Sequence, residues 1–550
     1  MTSSLASGIP RTHGDPVPTY LSHVGGRDVD SGRYLYTVST RSILTDVFAG
    51  LTLKRRLEQG LDDTPTADVV GRCAVADAET VAAALDSAAA AAPAWAATPL
   101  ATRMRLGELV RARVRTRRTE LVDLLVAEGS PAALARWQVA GLLELFSAQT
   151  LEYCASQLHQ EFRQDLRHGT RTLTVRRVAD GVVCVNPPQN APAASALFGV
   201  TPLLSGNTVV VRAPRSAPLG VMFALREVVA PALRELGAPA GTLNFFCARP
   251  GPTLRAWLDD PRVADIFYTG DVERGLELER ECVARGKKPI LELAGNDCVV
   301  VWRDADLDAA VEALTESFYG SGQICMVPNQ VVAHPDIADE LLVRLATAAA
   351  RIRPGYPDEE GVLLSPVLRG ERFFAFVRDA LDRGATLVHG ARRLDVDGTP
   401  CDTGLFVEPT VLRVDGLAGC RRIDAVRGET FFPLLPVIVP EPGVDLLDRA
   451  LAHVNSNPYG LRNSLWAGDE RVIDRFVAET VNGGVLKIND SHIGFLPYLP
   501  THGGTGLTGG AFGEANYPML RTSHLQGVSR ASGIRPRDAV FGIDHCGRRD

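Results

Sequence analysis

The chain has 550 residues, a net charge of −7 at pH 7, 45% apolar residues and 22% charged residues. That length suits two or three domains rather than one core, and the acidic balance argues against nucleic acid or an anionic membrane as the main partner. Only four of the 58 basic residues are lysine (Lys54, Lys287, Lys288, Lys487), so an arginine at any single position carries little information. The ten cysteines show no Cys-x-x-Cys pair and no zinc spacing, which predicts no metal site and buried thiols of a reducing, cytoplasmic compartment. The start of the chain has no apolar core of a secretory signal. No uncharged apolar run approaches the ~18–20 residues of a membrane span.

Residues 1–49, rich in Gly, Ser, Pro and Thr, predict an irregular arm. Leu106, Leu109, Val110 and Val114, continued by Leu121, Leu124 and Leu125, fall on one helical face within 78–128, and another helical stretch covers 131–160. From 171 the pattern changes. Strands are expected at 171–178, 182–185, 207–212, 243–247, 265–268 and 289–293, with a helix at 218–236 opening on Pro218. This alternation predicts a parallel, doubly wound α/β sheet that binds ligands beyond the carboxyl ends of its strands. A second α/β block follows, its first helix at 306–319 capped by Asp304 or Asp306. The last residues, 529–550, read as a polar tail.

Four places carry residue types suited to chemistry. Cys325 follows the small-residue turn Gly320-Ser321-Gly322; a cysteine is a strong nucleophile when its thiolate is stabilised, and otherwise a buried thiol. Glu292 ends a strand before Ala294-Gly295, where a carboxylate suits acid–base work in a cleft, or is simply a strand-end charge. Asn190 follows a strand in a proline-stiffened loop and offers an amide donor for an oxyanion, or a turn residue. Gly270 to Gly275 leads from a strand into a helix, as phosphate sites do and as ordinary turns do.

Taken together, Gly181-Val-Val-Cys-Val-Asn-Pro-Pro-Gln-Asn190, Gly206-Asn-Thr-Val-Val-Val-Arg212, Tyr268-Thr-Gly-Asp271, Leu291-Glu-Leu-Ala-Gly295, Gly322-Gln-Ile-Cys325, Glu429-Thr-Phe-Phe-Pro433 and Asn457-Pro-Tyr-Gly-Leu461 stand in one order. The chain resembles the aldehyde dehydrogenase superfamily, of the NAD(P)-dependent, non-acylating type, over about 65–528. The resemblance implies an α/β fold with a Rossmann-type cofactor domain (50–156 and 181–293), an α/β catalytic domain (294–503) and a small β oligomerisation element (157–180 and 504–528) serving a homodimer or homotetramer.

It implies Cys325 as nucleophile, Glu292 as the base that activates water, and Asn190 as oxyanion donor. Pro188, Arg212, Gly270, Asp271, Gly275, Glu429 and Phe431 match cofactor positions, with Arg212 in place of a lysine and Asp271 in place of a serine. A carboxylate beside a diphosphate is unfavourable, so Asp271 is expected to cap its helix and face away. Arg215 stands where NAD-preferring members carry a glutamate, and its charge favours NADP over NAD. Ala294-Gly295-Asn296 replaces a Gly-Gly-Lys. The region 490–502, about two residues longer than usual, offers His492, Phe495, Tyr498 and His502 to a substrate tunnel with Phe198, Ile324 and Met326. Arg462 and Arg521 are the candidates for a carboxylate clamp. The implied activity is oxidation of a small aldehyde to a carboxylic acid. The alternatives are a CoA-acylating member, against which Glu292 speaks, and a non-catalytic scaffold that kept the fold.

Overall fold

The computed structural model describes residues 17–62, 66–166, 169–497, 499, 501–513 and 518–541. The start of the expected arm (1–16), the end of the expected tail (542–550) and Tyr498 lie outside them.

Val182–Asn186, Thr208–Ala213 and Leu243–Cys247 are buried at every residue, as befits β-branched strands covered on both faces. With Val263–Thr269 and Lys288–Glu292 they form the parallel part of a seven-stranded sheet. Its order is Lys288–Glu292, Val263–Thr269, Val182–Asn186, Thr208–Ala213, Leu243–Cys247, Ser22–Val24 and Arg27–Val29. The chain builds outward from Val182–Asn186 in one direction, then returns to its other side with Val263–Thr269. The strand order reverses between those two, and the ligand crevice of such a sheet opens at their carboxyl ends. Pro187 to Asn190 and Gly270 sit there.

The expectation of an irregular arm fails for residues 19–49. Ser22–Val24 and Arg27–Val29 form a hairpin about Gly25-Gly26, whose φ values of 59° and 77° suit a tight two-residue turn. The hairpin extends the sheet past Leu243–Cys247, with His23 stacked on Phe245 at 5.0 Å and the Gly25 N–H donating to Asn244 Oδ1 at 2.9 Å. Tyr34–Val38 pairs with Val69–Ala74, and the helices Thr40–Thr45 and Val47–Glu58 follow.

The helical stretch 78–128 divides into Ala78–Ala96, Leu100–Thr116 and Arg118–Ala127. The stretch 131–160 divides into Ala132–Leu145 and Ala148–Leu158, the latter capped by Ser147. The helix at 218–236 is continuous but relaxes to a π-helix over Ala224–Val229.

The second sheet runs Thr386–His389, Thr410–Asp415, Leu434–Val439, Pro328–Ala333, Asp297–Val301, Arg462–Trp466 and Val485–Ile488, parallel except for its first strand. Asp306 caps the helix Leu307–Thr315 by accepting from the N–H groups of Asp308 and Ala309. A 3-10 segment, Glu316–Gly322, continues that helix and turns through three left-handed residues, Gly320, Ser321 and Gly322. Only glycine fits at Gly322, where a Cβ would lie 2.2 Å from the Phe432 carbonyl oxygen. This turn delivers Cys325.

His159–Leu166, Gly169–Ala179 and Ser523–Ser532 form a separate antiparallel sheet. The last of these strands runs four residues past 528 and is followed by the helix Pro536–Phe541, so the segment read as a polar tail begins as structure. The expected oligomerisation element ends at 528; the polar sequence Ser529-Arg-Ala-Ser532 hid its extension.

Candidate active site

The crevice of the first sheet meets the second sheet at Cys325. Glu292, the last residue of Lys288–Glu292, is only 4% exposed and so is not a strand-end surface charge. The Cys325 Sγ lies 3.6 Å from Glu292 Oε1. A Cβ on Gly295 would lie 2.3 Å from the Cys325 carbonyl oxygen, so the segment after Glu292 packs directly on the cysteine backbone. Asn190 approaches from the first sheet, its Nδ2 donating to the Gln323 carbonyl at 2.9 Å. The three residues therefore converge although they are 102 and 33 positions apart in sequence.

Burial pushes the Cys325 thiol well above its usual range, and the carboxylates of Glu292 and Glu429 push it further. Burial acts on Glu292 in the same direction. The charge and hydrogen bond of His502, with the Cys325 contact and the Arg462 charge, more than offset it and hold the carboxyl below its ordinary value. The resting pair is thus a thiol beside a carboxylate. His502 Nδ1 lies 2.7 Å from Glu292 Oε1, and its ring packs on Phe198 at 4.7 Å. Met326 and Ile324 join Val327, Leu461 and Ile493 in an apolar cluster with Trp137 and Tyr319. Those last two were missed in the sequence: neither stands in a motif, and Trp137 comes from a helix about 190 positions from Cys325.

Arg462 is fully buried and committed to the carbonyls of His492 (2.6 Å) and Thr501 (3.2 Å), so it is no clamp for a substrate carboxylate. Arg521 is no clamp either. Its charge acts on Asp265, near the amino end of Val263–Thr269 and away from the crevice. Asn296 is buried and tied to backbone, donating to Val426 O at 3.0 Å and accepting from Asn457 at 2.7 Å through its own carbonyl.

The expected cofactor residues divide. Arg212 is 4% exposed and turned inward, its Nε donating to Asn186 Oδ1 at 2.7 Å and its Nη1 to Ala248 O at 3.2 Å. Burial lowers its pKa to about 10. Asp271 is exposed and caps the helix Val272–Ala284 through the Arg274 N–H at 2.9 Å. Gly275 serves packing, since a Cβ would lie 2.2 Å from Leu293. The Gly270 N–H donates to the Glu292 carbonyl at 3.2 Å. Pro188 stays half-buried at the crevice rim. Phe431 holds a left-handed φ of 60°, an unfavourable conformation for a bulky residue and one that clusters at ligand sites. Beside it, Glu429 accepts from the Gly295 N–H at 3.3 Å, and burial raises its pKa to about 8. Among the described residues, Arg215 Nε and Thr269 Oγ1 are buried polar atoms without a partner. Thr269 ends the strand Val263–Thr269 and Arg215 lies two residues past Thr208–Ala213, at carboxyl ends of the first sheet where the donor and acceptor groups of a dinucleotide would satisfy them.

An open parallel sheet with a crevice at its switch point, joined to a second sheet that presents a cysteine to a carboxylate, defines a dinucleotide-dependent enzyme. The aldehyde dehydrogenase family model matches residues 60–522. Phenylacetaldehyde dehydrogenase of Pseudomonas fluorescens is 30% identical over 475 residues, 81% of this chain and 88% of that protein. Vanillin dehydrogenase of the same organism is 30% identical over 500 residues, 88% and 96% of the two chains. The crystal structure of an NAD-dependent aldehyde dehydrogenase from Sinorhizobium meliloti superposes with a TM-score of 0.77 at 25% identity, covering 97% of this chain and 99% of the other. The chain belongs to the aldehyde dehydrogenase family and is an NAD(P)-dependent oxidoreductase acting on small-molecule aldehydes. No helix among the described residues is long and apolar enough to cross a membrane.

Proposed function

We propose that the enzyme oxidises an uncharged apolar or aromatic aldehyde to the carboxylic acid through a thioester on Cys325. The observation that carries this reading is the 3.6 Å contact between Cys325 Sγ and Glu292 Oε1. Cys325 rests as a thiol. As its sulfur attacks the carbonyl carbon, the S–H proton passes to Glu292 and a thiohemiacetal forms. One N–H of the Asn190 amide is held by Gln323 O, which leaves the second N–H, with the backbone N–H of Cys325, to meet the oxyanion.

A bound nicotinamide would supply the hydride acceptor, leaving a thioester. Pro188, Arg215, Thr269, Gly270, Glu429 and Phe431 would hold the dinucleotide; Arg212 is too deeply engaged to contribute without rearranging. Glu292, after losing its first proton to solvent, takes one from water as the water oxygen attacks the thioester. The carbon–sulfur bond breaks, the departing sulfur takes that proton from Glu292 to restore the thiol and the carboxylate, and the acid leaves.

Arg215 favours NADP: an arginine at this position attracts a 2′-phosphate, and its unpartnered Nε is available for one. Trp137, Tyr319, Phe198, Ile324 and Met326 supply an apolar pocket wall, and the names of the two Pseudomonas relatives point to aromatic aldehydes. The antiparallel sheet exposes Phe162, Val175 and Leu525 on one side, an apolar face suited to pairing in a homodimer or homotetramer.

Purified protein with a panel of aldehydes and each dinucleotide, with and without CoA, tests the reading by the appearance of reduced nicotinamide. Turnover of aromatic aldehydes independent of CoA is expected. Turnover only with CoA, or none at all, overturns it.

A further inference from the structure

We infer that His502 is a positioning residue for Glu292, its Nδ1–H holding the carboxylate against the sulfur of Cys325. This rests on the proposed function above. Two observations carry it. First, one oxygen, Glu292 Oε1, lies 2.7 Å from His502 Nδ1 and 3.6 Å from Cys325 Sγ. An ionised carboxylate can only accept, so the proton between it and Nδ1 belongs to the imidazole. A buried carboxylate with no donor takes up a proton instead of serving as a base. His502 is the only donor besides the thiol itself that is bonded to the Glu292 side chain among the described residues.

Second, the segment carrying His502 is fixed from below. The fully buried Arg462 guanidinium ties the carbonyl of His492 to that of Thr501, the residue next to His502. His492 is itself held by Ser464 Oγ at 2.6 Å and by Asp297 Oδ2 at 3.2 Å. Burying this much charge is costly. It holds the chain at His492 and at Thr501, with the imidazole between Phe198 (4.7 Å) and Phe495 (5.9 Å) and its Nδ1 aimed at Glu292. Besides His502, the charged and titratable groups acting on Glu292 are Cys325 and Arg462, while Glu429, Arg462 and Asp297 act on Cys325.

The rival role for His502 is packing between the two phenylalanines, and two substitutions separate the roles. His502→Phe keeps an aromatic ring and removes the donor; His502→Gln removes the ring and keeps a donor. The acid limb of the kcat profile and an infrared pH titration are measured for wild type and both variants. The Glu292 signal in the infrared titration is identified by its loss in the matching Glu292→Gln backgrounds. In His502→Phe the protonated-carboxyl band of Glu292 is expected to persist ~1–2 pH units higher than in wild type, with kcat at neutral pH down about 10- to 100-fold. His502→Gln is expected to restore most of both. A Glu292 titration unmoved in His502→Phe, or a His502→Phe enzyme as active as wild type beside a poor His502→Gln, overturns the inference. The infrared titration needs no turnover, so it judges the His502–Glu292 pairing even if wild type oxidises no aldehyde, a result that would instead overturn the proposed reaction.

Discussion

Glu292 and Cys325 come from different sheets and meet at 3.6 Å, the first ending a strand of the dinucleotide-type sheet and the second following the 3-10 turn of the other. The reaction centre is therefore a property of how the two sheets dock. Gly295 is the point of closest approach, with room for a hydrogen but not a methyl beside the Cys325 carbonyl. Gly295→Ala is expected to displace the cysteine backbone and lower kcat/KM ~100-fold with the far-ultraviolet circular dichroism unchanged. Full activity of this variant would show that the docking is looser than the geometry requires.

The thiol state of Cys325 has a pH consequence. Burial and two neighbouring carboxylates hold its proton on, so in the dinucleotide-free enzyme the thiolate fraction grows about tenfold per pH unit up to and beyond the ordinary thiol range. Labelling of the Cys325 peptide by iodoacetamide, followed by mass spectrometry, is expected to climb without a plateau through pH 9. A plateau near neutral pH would mean a stabilised resting thiolate.

Arg215 is the position at which dinucleotide choice is most exposed to a single change. Arg215→Glu replaces an attraction for a 2′-phosphate with a repulsion. The ratio of kcat/KM for NADP to that for NAD is expected to fall at least ~10-fold, measured by steady-state kinetics at fixed aldehyde. An unchanged ratio would show that Arg215 does not meet the dinucleotide.

Away from the centre, Glu128 accepts from the N–H groups of Leu219 (2.6 Å) and Gly220 (3.0 Å) at the start of the helix after Thr208–Ala213. Burial raises its pKa to about 7, despite these two donors. A folded-state value above the unfolded one means the native protein binds the extra proton. The stabilisation is full below the ordinary glutamate value of 4.5 and is lost as pH rises toward about 7. Glu128→Gln keeps a carbonyl acceptor and removes the titration. Its melting temperature relative to wild type is expected to rise between pH 5 and pH 8, by the equivalent of up to about 2 kcal/mol. A difference independent of pH would contradict this.

Much of the fold was legible because its signals are local. Val-rich runs bounded by glycine gave the parallel strands, and Asp306 and Asp271 marked helix starts that their side chains do cap. The hairpin at 22–29 left a signal too, the Gly25-Gly26 pair, but strands of three residues are too short for a periodicity to be read. The convergence of Cys325, Glu292 and Asn190 followed from motif order. The engagement of Arg462 with a loop 30 to 39 positions away did not, because a buried guanidinium and a surface one look alike in a chain with so many arginines. His502 was legible as a pocket residue only. Its bond to Glu292, 210 positions earlier, exists because the two sheets and the 490–502 loop come together in space.

The most direct test of the account is to trap the intermediate. Without its carboxylate, Glu292→Gln can still form the thioester slowly but cannot activate the water that clears it. After incubation of this variant with an oxidisable aldehyde and dinucleotide, intact-mass and peptide mass spectrometry are predicted to find the acyl group on the peptide containing Cys325. An acyl group on another cysteine, or aldehyde oxidation with no adduct at Cys325 and undiminished turnover, would contradict it.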